Sequence, residues 1–215
     1  MQSLWQFLQN LRPHKTPAPD FVGYEVLLDF IEERSLHRLE GDLIEIGSFM
    51  GGGTVKLARY ARKHGKRVFA VDIFNPTADS TATPDGTIMR DIYLAFLEGR
   101  PQLEVYDEAV RGLDNVVTIK QDSKEVSFPA EQRFIFGFID GNHHPDYVRN
   151  DFSIIWQNLV DGGALGFHDY NTDLPDVTSC INGIIVERAG EIVETQELAP
   201  QNIILLVKGQ KTSIT

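Results

Sequence analysis

"DLIEIGSFMGGGTVKLARYARKHG", residues 42–65, contains a short apolar run, then four glycines, then an amphipathic segment. The apolar run is typical of a buried strand, and the segment after the glycines has the spacing of a helix that ends near Gly65. A strand, a glycine-rich turn and a helix in this order predict the first unit of an α/β sheet. In such sheets the turn lies on the side where ligands bind.

The alternation of strands and helices continues through the rest of the chain. Helices are predicted at residues 21–36 and 146–160, where apolar side chains recur at helical spacing. Further strands are predicted at residues 67–74, 115–122, 134–140, 164–168, 191–198 and 202–209. Apolar strands separated by helices indicate a parallel sheet covered on both faces, and the last two strands are close enough in sequence to pair antiparallel. The predicted fold class is α/β, a doubly wound, Rossmann-like, mostly parallel seven-stranded sheet with helices on both faces and an antiparallel C-terminal strand.

Two segments stand apart from this alternation. Residues 1–20 are predicted to form a short helix and a proline-rich linker, ahead of a single domain at 21–215. The apolar face of that helix needs a partner, so we expect it to pack on its own domain or on a second subunit, in a homodimer. Residues 75–112 are too long for an ordinary connection and are predicted to form a lid beside the ligand site. Aromatic candidates for an acceptor pocket there, some of which helical spacing assigns to the core, are Phe74, Tyr93, Phe96 and Tyr106.

The composition limits the classes of partner. The 215 residues include 31 acidic and 20 basic side chains, and the net charge of −11 disfavours nucleic acid. Cys180 is the single cysteine, which excludes an internal disulfide and indicates a reducing compartment. No stretch approaches the roughly 18 apolar residues of a membrane-spanning helix. We therefore expect a cytoplasmic protein that binds a small molecule and neither nucleic acid nor membrane.

The glycine-rich turn does not match either common phosphate-binding loop. A P-loop needs lysine after its second glycine, and Gly53 stands in that place after Gly52. The dinucleotide fingerprint needs a second glycine where this chain has Phe49, whose side chain would block the approach of a pyrophosphate. Both ATP and a dinucleotide are therefore disfavoured.

Acidic residues end three successive strands of the predicted sheet. Glu45, Gly47 and Gly51 form an E-x-G-x-x-x-G pattern that resembles motif I of class I S-adenosylmethionine-dependent methyltransferases. A sulfonium ligand is cationic and lacks phosphate, so a carboxylate suits its amino-acid end and glycines would let it lie against the backbone. Asp72, after the next strand, is expected to accept hydrogen bonds from both ribose hydroxyls, and Asp122 follows the third strand. Strand-end carboxylates that face one crevice indicate a nucleoside ligand more strongly than the glycines do.

A second group of polar residues follows two later strands. Asp140 ends the strand at 134–140, and His168 and Asp169 follow the strand that begins at 164. Because neighbouring parallel strands end at the same edge, Asp140 and Asp169 are expected to share a site. Two carboxylates can hold Mg²⁺, and an added imidazole also suits Mn²⁺, Fe²⁺ or Zn²⁺.

Taken together, the motifs "EIGSFMGGGT", "VDIF", "QDS", "FIDGNH" and "DGGALGFHDY" resemble methyltransferase family 24, over about residues 40–190. The family is related to metal-dependent O-methyltransferases of small molecules. The resemblance implies methyl transfer from S-adenosylmethionine to a hydroxyl of a sugar, phenol or natural product, assisted by Mg²⁺ or another divalent metal. It implies metal ligation by Asp140, His168 and Asp169. It implies cofactor binding by Glu45, Gly47, Ser48, Phe49, Gly51, Thr54, Asp72, Ile73, Asp122, Ser123 and Asp140.

The sequence departs from the family pattern at two positions. His168 stands where metal-dependent relatives often have a carboxylate, and Asn142 stands where they often have an aspartate that can act as a base. The candidate bases are therefore His143 and then His144, because imidazole titrates near neutral pH. A metal-dependent hydrolase built on the same polar residues and a non-catalytic S-adenosylmethionine-binding protein are the alternative functions.

Overall fold

The computed structural model describes residues 19–209. The predicted helix at residues 3–11 lies outside these residues. The helices are α1 (Glu25–Glu33), α2 (Gly52–Lys63), α3 (Met89–Leu97), α4 (Gln102–Val110), α5 (Pro145–Trp156) and α6 (Pro175–Glu187). The strands are β1 (Asp42–Ile46), β2 (Val68–Asp72), β3 (Val116–Lys120), β4 (Phe134–Ile139), β5 (Leu159–Phe167), β6 (Ile192–Leu198) and β7 (Ile203–Lys208).

The seven strands form one sheet in the order β3-β2-β1-β4-β5-β7-β6. All pairs are parallel except those that β7 makes with β5 and β6, which confirms the predicted mostly parallel sheet. The chain moves outward from β1 to β2 and β3 and then returns to add β4 on the other side of β1. This reversal opens a crevice at the carboxyl ends of β1 and β4, the usual ligand position in such folds.

Alternating strand residues form a core on each face of the sheet. Ile44 and Ile46 of β1 pack on the face that α5 and α6 cover. Leu43 of the same strand packs on the other face, against α1 and α2. The only cysteine, Cys180, is buried in the α6 side of this core. Within residues 19–209, no helix combines the length and the apolar composition needed to span a membrane.

Residues 75–112, predicted as one lid, have two different roles. Residues 75–101 contain α3 and a short antiparallel bridge between Ala82 and Ile88, and they extend over the carboxyl edge of the sheet. The part from residue 102 onward is α4, an ordinary crossover helix that leads to β3. Accordingly, Tyr106 of α4 is fully buried against Phe74, with ring centroids 4.8 Å apart. The segment that covers the sheet edge is therefore shorter than the predicted 75–112, because it ends before α4 begins at Gln102.

Candidate functional site

A cavity of about 290 Å³ lies at the carboxyl ends of β1, β2, β4 and β5, below residues 75–101. Predicted site residues that line it are Gly47, Ser48, Phe49, Asp72, Ile73, Asp122, Ser123, Asp140, His143, His168 and Asp169. Four predicted residues are absent from its described wall, namely Glu45, Gly51, Thr54 and His144. The structure therefore brings the strand-end residues Asp72 and Asp122 into one cavity with the cluster of Asp140, His168 and Asp169.

Two glycines of the turn are required by protein packing. Gly47 has φ +90°, and a Cβ atom there would overlap the main-chain carbonyl of Asp140 at the end of β4. A Cβ atom on Gly53 would overlap the ring of Tyr24. The two glycines thus allow the close approach of β1 to β4 and of α2 to α1. Gly47 also lines the cavity, so the expectation that it lets a ligand lie against the backbone stays a prediction.

Glu45 lies inside the protein, away from the cavity. Its carboxyl oxygens accept hydrogen bonds from the hydroxyls of Tyr24 (2.7 Å) and Thr54. Complete burial raises the pKa of Glu45 to about 7, although both hydrogen bonds lower it. The expected contact with the amino-acid end of a cofactor does not fit this position. The reason is strand alternation, because Glu45 shares the α1 and α2 face of β1 with Leu43.

Asp72 fastens the glycine-rich turn. One of its carboxylate oxygens accepts the main-chain N–H groups of Ser48 and Phe49, each at 2.9 Å. The other accepts the N–H of Phe74 at 2.6 Å, and the amide of Gln102 lies 3.3 Å from both oxygens. Burial raises the pKa of Asp72 against these donors. Asp72 lines the cavity as expected, but protein donors occupy its carboxylate, so ribose binding there stays a prediction.

Asp122 lies at the other end of the cavity, beyond β3. It begins a 3-10 turn by accepting the N–H of Lys124 at 2.9 Å, and its second oxygen accepts the hydroxyl of Tyr147 at 2.8 Å. The adjacent Ser123 is buried on the cavity wall. This end therefore presents fixed oxygen acceptors to the cavity.

The cluster formed by Asp140, His168 and Asp169 lies where β4 and β5 end. Ile139 pairs with Phe167, so the residues that follow them lie side by side. The Nδ1 atom of His168 is 3.0 Å from a carboxylate oxygen of Asp140 and 3.0 Å from one of Asp169. Burial opposes protonation of His168, but these two carboxylates raise its pKa to about 11. The two carboxylates therefore favour the protonated form of the imidazole in this arrangement.

His143 lies between two carboxylates. Its Nδ1 atom is 2.6 Å from Asp79, and its Nε2 atom is 2.8 Å from Asp169. Burial opposes protonation, yet hydrogen bonds from Asp169 and Asp79 raise the pKa of His143 to about 10. As arranged here, both ring nitrogens donate, so His143 cannot accept a proton from a substrate. This geometry disfavours His143 as the base, and that role stays a prediction.

His144 does not reach the cavity. Its ring caps α5 by accepting the N–H of Asp146 at 3.3 Å, and 63% of its side chain is exposed. The second predicted base is therefore a helix cap. Asn142 accepts the N–H of His144 at 2.9 Å and forms a turn on the cavity wall.

Comparison with known proteins assigns the fold to a family. A family model described as a methyltransferase domain, methyltransferase family 24, matches residues 44–170. The chain belongs to this family. It is therefore a class I methyltransferase, the class that uses S-adenosylmethionine, and the hydrolase alternative is disfavoured.

Solved structures of methyltransferases have the same fold. The O-methyltransferase NovP superposes with a TM-score of 0.68 at 16% identity, covering 86% of this chain and 79% of that one. Apo CalS11, a TDP-rhamnose 3'-O-methyltransferase, has a TM-score of 0.61 at 15% identity, covering 97% and 88%. MycE in complex with Mg, S-adenosylhomocysteine and mycinamycin VI has a TM-score of 0.58 at 15% identity, covering 93% and 53%. At these identities the likeness concerns the fold alone.

The cluster of Asp140, His168 and Asp169 has a donor set that fits a divalent cation. One ligand atom from each of the three residues can be chosen so that all lie within 4.8 Å of one another. The 3.0 Å separations from His168 Nδ1 match hydrogen bonds, and they also match neighbouring ligands of an octahedral ion with bonds of about 2.1 Å. Two oxygens and an imidazole nitrogen suit Mn²⁺, Fe²⁺ or Zn²⁺ as well as Mg²⁺. A proton and a metal ion would therefore compete for the Nδ1 atom of His168 between the two carboxylates.

Three residues that organise the site were missed from the sequence. Asp79 holds His143, Gln102 contacts Asp72, and Tyr147 donates to Asp122. Asp79 lies in a polar loop, where aspartate is common in turns and carries no distinguishing pattern. For Tyr147 the sequence carries one signal. It lies in the first turn of a helix that follows Asp140 closely, so its side chain starts near the same edge of the sheet.

Proposed function

We propose that this methyltransferase transfers the methyl group of S-adenosylmethionine to a hydroxyl oxygen of a small-molecule acceptor. The observation that carries the proposal is the cluster of Asp140, His168 and Asp169 in the same cavity as the glycine-rich turn. NovP and CalS11, whose folds are similar, are O-methyltransferases. The arrangement of the wall supports a cofactor half along β1 to β3 and an acceptor half at β4 and β5.

In the cofactor half, the wall offers groups suited to the parts of S-adenosylmethionine. Gly52 and Gly53 line the cavity at the start of α2, where the first N–H groups of a helix lack intrahelical acceptors and favour a carboxylate. At the far end, Asp122 and Ser123 present oxygen acceptors suited to the adenine amino group. When bound, S-adenosylmethionine supplies an electrophilic methyl group on a cationic sulfur.

In the acceptor half, the residues of the chain orient the acceptor hydroxyl. The carboxylates of Asp140 and Asp169 can accept a hydrogen bond from the acceptor hydroxyl, although Asp169 already accepts from both imidazoles, which, against the effect of burial, hold its pKa well below its usual range. A divalent cation held by Asp140, His168 and Asp169 would lower the pKa of the acceptor hydroxyl. Orientation of the two reactants then accounts for much of the rate.

Calorimetric titration with S-adenosylhomocysteine, with Mg²⁺ or Mn²⁺ and with a chelator, tests cofactor and metal separately. We expect binding in all cases, and methyl transfer to hydroxyl acceptors, detected by mass spectrometry, that the chelator lowers. Absence of S-adenosylhomocysteine binding under every condition would refute the proposal. Binding without transfer to any hydroxyl acceptor would favour the non-catalytic alternative.

A matched pair of variants tests the acidic cluster. Asp169 has φ +58°, a conformation that asparagine tolerates, so Asp169→Asn should preserve the backbone. We expect its kcat to fall by about 100-fold, as for loss of a group that positions the reacting hydroxyl. Asp161→Asn, an exposed change on β5, is the control and should retain full activity. Equal activity of the two variants would exclude a role for Asp169 in the reaction.

A further inference from the structure

The mouth of the cavity is lined by aromatic rings from three separate parts of the chain. We call this group the aromatic rim: Phe21 before α1, Phe49 in the glycine-rich turn, and Tyr93 and Phe96 on α3. The ring centroids of Phe21 and Phe96 are 4.5 Å apart, those of Phe21 and Phe49 are 5.8 Å apart, and those of Phe49 and Tyr93 are 5.3 Å apart. These distances are typical of aromatic pairs. The rim is thus a continuous apolar surface.

Two features indicate that the rim serves a ligand. Phe21 and Phe96 are about half exposed (49% and 48%) at the opening of a cavity, where apolar surface commonly contacts a bound molecule. Phe49 has φ +44°, a strained conformation for a bulky residue, and its N–H is held by Asp72. Asp72 therefore holds Phe49 in a strained backbone conformation that places its ring in the aromatic rim.

The wall below the rim is acidic. The carboxylates of Asp79, Asp140 and Asp169 lie there, and burial together with these charges raises the pKa of Tyr93, the innermost residue of the rim. None of the described residues on the cavity wall is a lysine or an arginine. The imidazoles of His143 and His168 are already paired with carboxylates. A phosphate or carboxylate on an acceptor would therefore find repulsion from these carboxylates and no lysine or arginine on the described wall to pair with it.

We infer that the acceptor is a phosphate-free molecule, neutral or cationic, with an apolar ring system beside the reactive hydroxyl. A phenol, or a sugar attached to an apolar aglycone, meets this description. A nucleotide-sugar or a coenzyme A thioester does not, because each carries several negative charges. The inference rests on the proposed function, since it concerns the acceptor half of that same cavity.

Matched pairs of probes test the charge requirement in the full chain loaded with S-adenosylhomocysteine. One pair is phenyl rhamnoside and thymidine diphosphate rhamnose, and the other is methyl caffeate and caffeoyl-coenzyme A. By calorimetry, we expect the phosphate-free member of each pair to bind about tenfold more tightly or better. Equal binding, tighter binding of the phosphorylated members, or no binding of either member would overturn the inference. Failure of S-adenosylhomocysteine to bind would instead refute the proposed function.

Variants of the rim and wall test the same idea from the side of the protein. Phe96→Ala should weaken the phosphate-free probes by roughly tenfold without changing the affinity for S-adenosylhomocysteine. Leu94→Ala is the matched control, because Leu94 is also exposed on α3 but lies off the described cavity wall. Ala78→Arg adds a cation at an exposed wall position and should strengthen the phosphorylated probes by roughly tenfold. Equal effects of Phe96→Ala and Leu94→Ala, or no gain from Ala78→Arg, would contradict the inference.

Discussion

Replacement of Glu45 by glutamine should change how the stability of this protein depends on pH. The carboxyl is completely buried, and its pKa in the folded protein is about 7 against an ordinary value of 4.5. Between these pH values the folded state binds more protons at this site than the unfolded state does. The free energy of unfolding therefore falls as the pH rises through this window. The difference between the two pKa values corresponds to about 3 kcal/mol.

Glutamine has nearly the same shape but does not titrate, so Glu45→Gln removes this dependence. Its Oε1 atom can accept from the hydroxyl of Tyr24, while the hydroxyl of Thr54 turns to accept from its amide nitrogen. Relative to the parent protein, the variant should gain about 3 kcal/mol in unfolding free energy between pH 4.5 and pH 8. Urea denaturation followed by circular dichroism at several pH values measures this. Glu104→Gln, at an exposed position on α4, is the matched control.

Two results would refute the reasoning about Glu45. The first is a constant difference between variant and parent at all pH values, which would mean that the buried carboxyl does not titrate in this window. The second concerns the cofactor: we expect the affinity of Glu45→Gln for S-adenosylhomocysteine to stay within about threefold of the parent, because the side chain lies off the cavity wall. If this affinity fell about 100-fold while the fold stayed intact, the result would support the direct contact between Glu45 and the cofactor that the sequence predicted.

Two further predictions concern packing and the segment that covers the site. Gly47→Ala should lower the unfolding free energy by about 3 kcal/mol or more, since its Cβ atom would overlap main-chain atoms, whereas Gly65→Ala, with open space around it, should cost about 1 kcal/mol from its left-handed backbone alone. Equal losses in urea denaturation would show that overlap is not the cause. Asp79→Ala removes a carboxylate from buried His143 and should speed amide hydrogen exchange across residues 75–101 by about tenfold. Unchanged exchange there would contradict this anchoring role.

Local pattern in the sequence was enough to predict the sheet and the edge at which the site lies. Short continuous apolar runs marked the strands, and the glycine-rich turn marked the first crossover. Because parallel strands end at one edge, Asp140 and Asp169 could be placed together from their positions after β4 and β5. The cytoplasmic location and the homodimer expected from the sequence stay predictions.

The tertiary structure alone decided what individual side chains do. Strand alternation puts Glu45 on the same face of β1 as Leu43, but only the fold shows that this face is covered by Tyr24 and by Thr54 of α2. The Nδ1 atom of His143 has a carboxylate partner because a long loop brings Asp79, 64 residues earlier in the chain, next to it. Periodicity along the chain reports burial and secondary structure, since both depend on near neighbours. The proton state and the partners of a polar group depend on residues distant in sequence, so only the assembled fold shows them.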